Sequence, residues 1–232
     1  MKQDDHRVRV GAERRQKMRR HLIESALKLF AERGLEEVVI DDVIVAASVS
    51  RGTFYYYFKT NAELLAAVVE ELGNELMQMI ESVVGTIKDP AELLAQGLRL
   101  YLHTVQDYPT FAGFLARAGL HAARPTNLVF EYIPRHLERG MLAGRFKVAD
   151  VPMGLDIVAG IALAAVCSIV GRPVPADFPE QATSHILMGL GMTPAAAGKL
   201  VQLPLVTFTL PSDSLLVRTH AMPSAESDRS AA

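Results

Sequence analysis

The chain has 232 residues, of which 50% are hydrophobic and 22% are charged, so it can bury one large core or two smaller ones. Its single cysteine, Cys167, excludes an internal disulfide framework. Because Cys167 lies in an apolar run, we expect a buried, inert thiol. The polar N-terminus lacks the apolar segment of a secretory signal, so we expect a cytoplasmic protein.

The formal net charge of −2 is distributed unevenly along the chain. Residues 1–62 carry 12 Lys and Arg against 9 Asp and Glu, whereas residues 63–232 carry 12 against 17. A basic N-terminal part suits contact with a polyanion, although this distribution alone does not identify a partner.

Residues 1–15 form a polar, basic arm in which no apolar face repeats at helical spacing. We expect this arm to lack structure in the absence of a partner. It is either a solvated tail or a contact with phosphate or the minor groove through Arg14, Arg15 or Arg19.

Residues 16–62 are predicted to form three helices. Apolar residues at helical spacing predict the first from Met18 to Arg33, and Gly34 ends it. The second has room for only two turns, over Ile40–Ala47. A tight joint then precedes a third helix with Ser50 as its N-cap.

Residues 63–210 are predicted to form a second, entirely helical domain. A capping box from Thr60 to Glu63 starts its first helix, which should reach the low 80s. Further helices, several opening with Pro or closing with Gly, are predicted at Pro90–Tyr108, Pro109–Gly119, Pro125–Gly140, Val151–Gly171 and Phe178–Gly191, with a short one from Pro194. The fold class is therefore all-α, and residues 211–232 are expected to form a loose tail.

The helix predicted at Val151–Gly171 approaches the length of a membrane span. It contains Asp156 and is rich in Ala and Gly rather than Leu and Ile. These features favour a buried helix, and no membrane partner is expected.

Five consecutive aromatic residues, a third of the 15 in the chain, occupy positions 54–58. Phe54 and Phe58 lie four residues apart and can pack inward, whereas the three tyrosines between them fan out and cannot all be buried. Outward tyrosine hydroxyls suit hydrogen bonds to phosphate, and Arg51 and Thr53 in the first turn suit the reading of base edges. The alternative is a structural aromatic cluster on an interaction helix.

These residues resemble the TetR family of regulators over about residues 16–72. The resemblance is carried by Leu29-Phe30-Ala31-Glu32-Arg33-Gly34, Asp42-Val43, Ala47, Val49-Ser50, Thr53-Phe54-Tyr55-Tyr56-Tyr57-Phe58 and Glu63-Leu64-Leu65. It implies a three-helix helix-turn-helix head that binds a palindromic operator in double-stranded DNA. It also implies a body that dimerises and releases DNA on binding a small effector. The DNA contacts it implies are at Ser50, Arg51, Thr53, Tyr55, Tyr56, Tyr57 and Lys59.

Four positions depart from the pattern of this family. Val39 replaces the usual Thr cap of the second helix, and Ile44 replaces a small residue within it. Ser48 stands in place of the turn glycine, and Asn61 in place of a Lys that often holds a phosphate. Loss of one phosphate contact should flatten the salt dependence of DNA binding by roughly 0.9 in slope.

Beyond residue 85 the resemblance is architectural. Val151–Gly171 and Phe178–Gly191 occupy the place of the family's four-helix dimer interface, so we expect a homodimer. Apolar and polar side chains that could line an effector cavity, or could be ordinary core, are Met77, Tyr101, His103, Phe111, Phe114, His121 and Phe130.

No catalytic, cofactor or metal site is predicted. The seven histidines lack ligand spacing, and no glycine-rich phosphate loop or catalytic pair is evident. The predicted function is therefore a ligand-responsive transcriptional regulator, most simply a repressor. The alternative is a ligand-binding or protein-interaction module whose DNA-binding head is degenerate, as suggested by Val39, Ser48 and Asn61.

Overall fold

The computed structural model describes residues 2–33, 37–119, 128–212 and 214–220. Within these ranges the chain forms helices and no β-strand, which confirms the all-α prediction. The helices are α1 Lys2–Arg33, α2 Ile40–Ala46, α3 Arg51–Tyr57, α4 Asn61–Val84, α5 Pro90–Asp107, α6 Pro109–Ala118, α7 Val129–Leu142, α8 Val151–Gly171, α9 Phe178–Gly189, α10 Pro194–Val201 and α11 Leu215–His220.

The chain divides into two compact units. The head comprises residues up to Val68 together with the C-terminal residues from Arg218, and the body comprises Val69–Val217. The division between the two units falls inside α4. The sequence could not mark this boundary, because a continuous helix contains no turn residues there.

The N-terminal arm was expected to lack structure, but it is helical from Lys2 and forms the first part of α1. Glu, Arg, Gln and Lys at positions 13–17 are good helix formers, and adding residues to an existing helix is far easier than nucleating one. Farther along α1, Leu22 and Ile23 are fully buried. The absence of an apolar face therefore did not indicate an absence of helix.

The head is built around a small apolar core. Leu22 and Ile23 of α1, Val43 of α2, and Phe54 and Phe58 at α3 and its C-cap are all buried. The predicted inward packing of the two phenylalanines is thereby confirmed.

The core of the body joins α5, α7, α8, α9 and α10. A tight turn follows α7, in which Gly144 has a φ of +66°. The buried ring of Phe146 packs so close to Gly140 that a Cβ added there would lie 2.1 Å from the ring. Arg145 in this turn donates two hydrogen bonds to the Asp89 carboxylate, at 3.0 and 2.9 Å. Asp89 also caps α5 by accepting from the Ala91 N–H.

Within the predicted loose tail, Leu215–His220 form the helix α11. Leu216 of α11 is 1% exposed, and the Glu75 carboxylate accepts hydrogen bonds from the backbone N–H groups of Leu215 and Leu216, at 3.1 and 3.4 Å. A carboxylate stabilises the N-terminus of a helix by pairing its free N–H groups. Because the partner is about 140 residues away, local sequence could not indicate this contact.

The sequence predicted that helix α8 and its Cys167 would both be buried, and neither expectation holds within this chain. By length and composition it could cross a membrane, and only 22% of its most apolar window is buried within this chain. Buried positions are confined to Gly154, Val158, Ala165 and Val166, and Cys167 is exposed rather than buried. An apolar run thus folds with one face on the core and the other uncovered within the chain.

Ser48, which links α2 to α3, has a φ of +53°, the left-handed conformation that glycine adopts easily. This conformation costs residues other than glycine roughly 1–2 kcal/mol. A glycine avoids that cost but loses more conformational entropy on folding, which offsets about half of the gain. Ser48→Gly should therefore raise the free energy of unfolding by about 0.5–1 kcal/mol, measured by urea denaturation. Ser48→Ala, which keeps a Cβ, is the control; equal stability of the two variants would contradict this explanation.

Candidate DNA-binding surface and ligand cavity

The N-terminus of α3 is held by two hydroxyl groups. Ser50 Oγ accepts a hydrogen bond from the Thr53 backbone N–H at 3.0 Å and lies 2.9 Å from Thr53 Oγ1. Ser50 is thus the N-cap that the sequence predicted. The hydroxyl of Thr53 is already engaged within the head.

The aromatic run divides between the core and the surface. Phe54 and Phe58 are buried, whereas Tyr55 and Tyr56 are 41% and 65% exposed, and Tyr57 is half-buried. The rings of Tyr56 and Tyr57 contact each other edge to face, with centroids 5.0 Å apart. Exposed phenol groups therefore lie on the helix whose first turn carries Arg51.

Arg51 is exposed and forms an ion pair with Asp41 of α2, with 2.5 Å between guanidinium and carboxylate. Both side chains are more than half exposed, so solvent screens this pair strongly. Lys59 follows α3, and its ammonium group donates to the Tyr55 carbonyl. Contact of Arg51 with a base would require its pair with Asp41 to open.

Two departures from the family pattern have structural counterparts. Val39 offers no side-chain cap to α2, but Asp42 accepts from the Val39 N–H at 3.0 Å and from Arg33 at 3.1 Å. Asn61, at the start of α4, donates from Nδ2 to the Val38 carbonyl at 3.0 Å. Asn61 thus fastens α4 to the segment that precedes α2.

The capping box predicted at the start of α4 forms in a shifted version. Thr60 Oγ1 accepts from the Glu63 N–H at 3.1 Å, as predicted. The Glu63 carboxylate returns to the N–H of Lys59 at 2.6 Å, one residue before the predicted one.

Gly52 has no steric role within the head. A Cβ added there would meet nothing nearer than Ser50 Oγ, at 3.7 Å. The position is exposed in the first turn of α3, so its lack of a side chain leaves the backbone open to close approach from outside.

The body contains a partly open cavity of about 170 Å³ between α4, α5, α6, α7 and α8. Its walls are mostly apolar and include Ile80, Leu98, Ile133, Val158 and Ala162. Three of the residues predicted to contact a ligand line it: Met77, Tyr101 and Phe130.

The other predicted ligand-contacting residues are placed differently. Phe111 and Phe114 are 2% and 0% exposed and pack in the core of the body, outside the described lining. His103 does not line the cavity either, because its Nε2 is 2.9 Å from the Glu180 carboxylate of α9. His121 lies outside the described residues.

Glu180 joins α5 to α9. Its carboxylate also accepts from Arg99 Nε at 3.0 Å, and Arg99 in turn donates to the Leu203 carbonyl at 2.8 Å. Burial alone would raise the pKa of the Glu180 carboxyl, but the hydrogen bonds from His103 and Arg99 outweigh it and hold that pKa below its usual value. His103 therefore belongs to the packing of the helices.

Two polar residues on the cavity wall were not predicted. His136 of α7 is 3% exposed, and its Nε2 lies 2.9 Å from Glu81 Oε2 of α4. The second Glu81 oxygen accepts from Arg135 at 3.2 Å. Burial lowers the pKa of His136 below its usual value, against the opposing effect of Glu81.

Helical periodicity contained the signal for both residues. Glu81 lies on the stripe formed by Met77, Ile80 and Val84, and His136 lies on the stripe of Ile133, Leu137 and Gly140. A polar residue on an otherwise buried stripe needs a partner, and here the two residues pair with each other.

Tyr101 contributes a third polar group to the wall. Its hydroxyl has no hydrogen-bond partner among the described residues, and burial raises the pKa of the phenol. The phenol therefore stays protonated at neutral pH and can both donate and accept a hydrogen bond.

Two family models match the chain. The model for bacterial regulatory proteins of the tetR family matches residues 22–68, and the model for the tetracyclin repressor-like C-terminal domain matches residues 89–202. The chain belongs to the TetR family of transcriptional regulators.

Curated relatives match over part of the chain. The chain is 31% identical to the transcriptional repressor DhaR of Mycobacterium sp. (strain GP1) over 67 residues, which cover 29% of this chain and 34% of that protein. It is 24% identical to the regulator EthR of Mycolicibacterium smegmatis over 104 residues, covering 44% and 46%. The chain thus spans between a third and a half of these relatives.

Solved structures match over most of the chain. RolR in complex with resorcinol superposes with a TM-score of 0.74 at 28% identity, covering 85% of this chain and all of that one. RolR without ligand gives a TM-score of 0.73 at 27% identity, covering 82% and 100%.

Proposed function

We propose that this protein is a ligand-responsive transcriptional repressor that binds a palindromic operator as a homodimer and releases it when a small apolar molecule enters the cavity. The observation that carries this proposal is the division of α3 into a buried face, with Phe54 and Phe58, and an exposed face, with Tyr55 and Tyr56. Because the partner is DNA, we place the protein in the cytoplasm.

In this proposal α3 is the recognition helix. Arg51 lies in its first turn, where helix-turn-helix proteins contact base edges, and guanidinium suits a bidentate bond to guanine. Tyr55, Tyr56 and Lys59 would hydrogen-bond to phosphates and set the register of the helix. Tyr57 would contribute to the same surface, while Ser50 and Thr53 support the geometry of the first turn.

The homodimer is supported by the uncovered face of α8. Met153, Asp156, Gly160, Ala164 and Cys167 recur every three or four residues and are all exposed within the chain. A stripe of mostly apolar and small residues allows a second helix to approach closely. Two heads are needed to meet half-sites about 34 Å apart on the duplex.

Effector binding is supported by the cavity and by RolR, whose structure contains resorcinol. In this proposal, occupation of the cavity weakens operator binding through a coupling free energy of about 1–3 kcal/mol. The alternative of a degenerate head rested on Val39, Ser48 and Asn61. The Asp42 carboxylate accepts from the Val39 N–H at the start of α2, and Asn61 donates to the Val38 carbonyl, so both positions have structural bonds within the head.

Gly52→Ala tests whether the first turn of α3 approaches DNA. The added methyl group makes no close contact in the free protein, where Ser50 Oγ is the nearest atom at 3.7 Å, and it favours helix, so stability should rise by up to about 1 kcal/mol. Affinity for the operator should fall about tenfold or more, because the methyl group enters the space needed by DNA. Fluorescence anisotropy with duplex fragments from upstream of the protein's own gene measures this loss.

Gly73→Ala is the matched control for Gly52→Ala, because Gly73 is also helical and also has open space beside it. It should leave DNA affinity unchanged. Undiminished binding by Gly52→Ala would refute the proposed surface.

Arg51→Ala and Tyr56→Phe should differ in how they weaken DNA binding. Loss of Arg51 should cost about 1–3 kcal/mol on the preferred operator and relax the preference at one or two base pairs. Loss of the Tyr56 hydroxyl should weaken binding to all sequences alike, because phosphates carry no sequence information. Anisotropy on a set of single-base-pair operator variants separates the two patterns, and identical profiles would contradict these roles.

Gly160→Arg should convert the dimer to monomers by placing a long, charged side chain on the uncovered stripe of α8. Gly198→Arg on α10 is the control, since an added Cβ meets no atom within 4 Å at either position. Analytical ultracentrifugation should show monomers for the first variant and dimers for the second. A dimer with Gly160→Arg would place the interface elsewhere.

A further inference from the structure

The wall of the cavity carries polar groups on three different helices: Glu81 on α4, Tyr101 on α5 and His136 on α7. We infer that these groups select an uncharged effector of about one ring that bears a hydroxyl group, and that they reject the carboxylate and ammonium analogues of the same ring. This inference rests on the proposed role of the cavity as the effector site.

The size of the cavity limits the effector. At about 170 Å³ it is slightly larger than an engineered apolar cavity of about 150 Å³ that binds benzene in another protein. One ring with one or two small substituents therefore fills it.

The charge on the wall limits the effector further. Among the described lining residues, Glu81 is the one whose side chain belongs to Asp, Glu, Lys or Arg. The guanidinium of Arg135 that pairs with Glu81 is half exposed and is not part of the lining. A ligand carboxylate would lose its hydration and find a like charge rather than a cation.

A cationic ligand also lacks a favourable site. Glu81 already accepts hydrogen bonds from His136 and Arg135, one on each oxygen. An ammonium group would have to leave water for a carboxylate whose charge is already shared with a guanidinium.

A hydroxyl group, by contrast, finds partners without a charge having to be desolvated. Carboxylate oxygens retain free lone pairs after accepting one hydrogen bond, and the Tyr101 hydroxyl is unpaired among the described residues. His136 acts as a positioning residue, since its Nε2 hydrogen bond fixes the orientation of the Glu81 carboxylate. An aromatic hydroxyl compound therefore satisfies both the apolar walls and the polar groups.

Three probes that share one ring test this inference: resorcinol, 3-hydroxybenzoate and 3-hydroxybenzylamine. Titration calorimetry with the full chain at pH 7.5 (roughly one pH unit above the usual His pKa) should show resorcinol binding at least about tenfold more tightly than either charged probe. Equal or tighter binding of a charged probe would overturn the inference, as would failure of all three to bind.

Two variants assign the selection to residues. Tyr101→Phe should weaken resorcinol binding about fivefold, the value of one neutral hydrogen bond, whereas Tyr108→Phe, outside the described lining, should not. Glu81→Gln should reduce the preference for resorcinol over 3-hydroxybenzoate, because the like charge is removed while the cost of desolvating the ligand carboxylate remains. Thermal melting confirms that each variant is folded, and an unchanged preference in Glu81→Gln would overturn the role of that carboxylate.

The proposed function can fail separately. If resorcinol binds with the expected selectivity but does not change operator affinity, the regulatory role of the cavity is wrong while its selectivity stands. If charged effectors release DNA and resorcinol does not, the regulatory role stands and the inference is wrong.

Discussion

The burial of Phe54 and Phe58 is the interaction on which the head depends. Two large side chains four residues apart on a helix must face the same side. Their burial therefore fixes the directions in which all the remaining side chains of α3 point. The tyrosines between them are held at or near the surface, and Arg51 is held in the exposed first turn. The exposed face of α3 thus arises from the requirement to bury two aromatic rings.

The defining feature of the body is a cavity between five helices whose side chains do not fill the space. Well-packed interiors leave few voids larger than a water molecule, and the cavity of about 170 Å³ departs from that rule. The pairing of Glu81 with His136 allows two polar side chains to be placed on its wall. The same pair gives the cavity its chemical character.

Much of this architecture could be predicted because its causes are local. Ser50 caps α3 through an atom three residues away, and Pro, Gly and capping residues mark the ends of most helices. The residues missed by sequence reasoning depend on distant partners. His103 was expected beside a ligand and instead contacts Glu180, 77 residues away, whereas Glu81 and His136 meet across 55 residues.

The sequence by itself determined most of the helices, the two faces of α3 and the family, because capping, periodicity and a short motif are local properties of the chain. Tertiary structure alone decided which helix faces are covered. Cys167 lies in an apolar run and is nevertheless exposed, and Leu216 lies in the expected loose tail and is nevertheless buried. Burial depends on what packs against a residue, and periodicity identifies a face without identifying the surface that covers it.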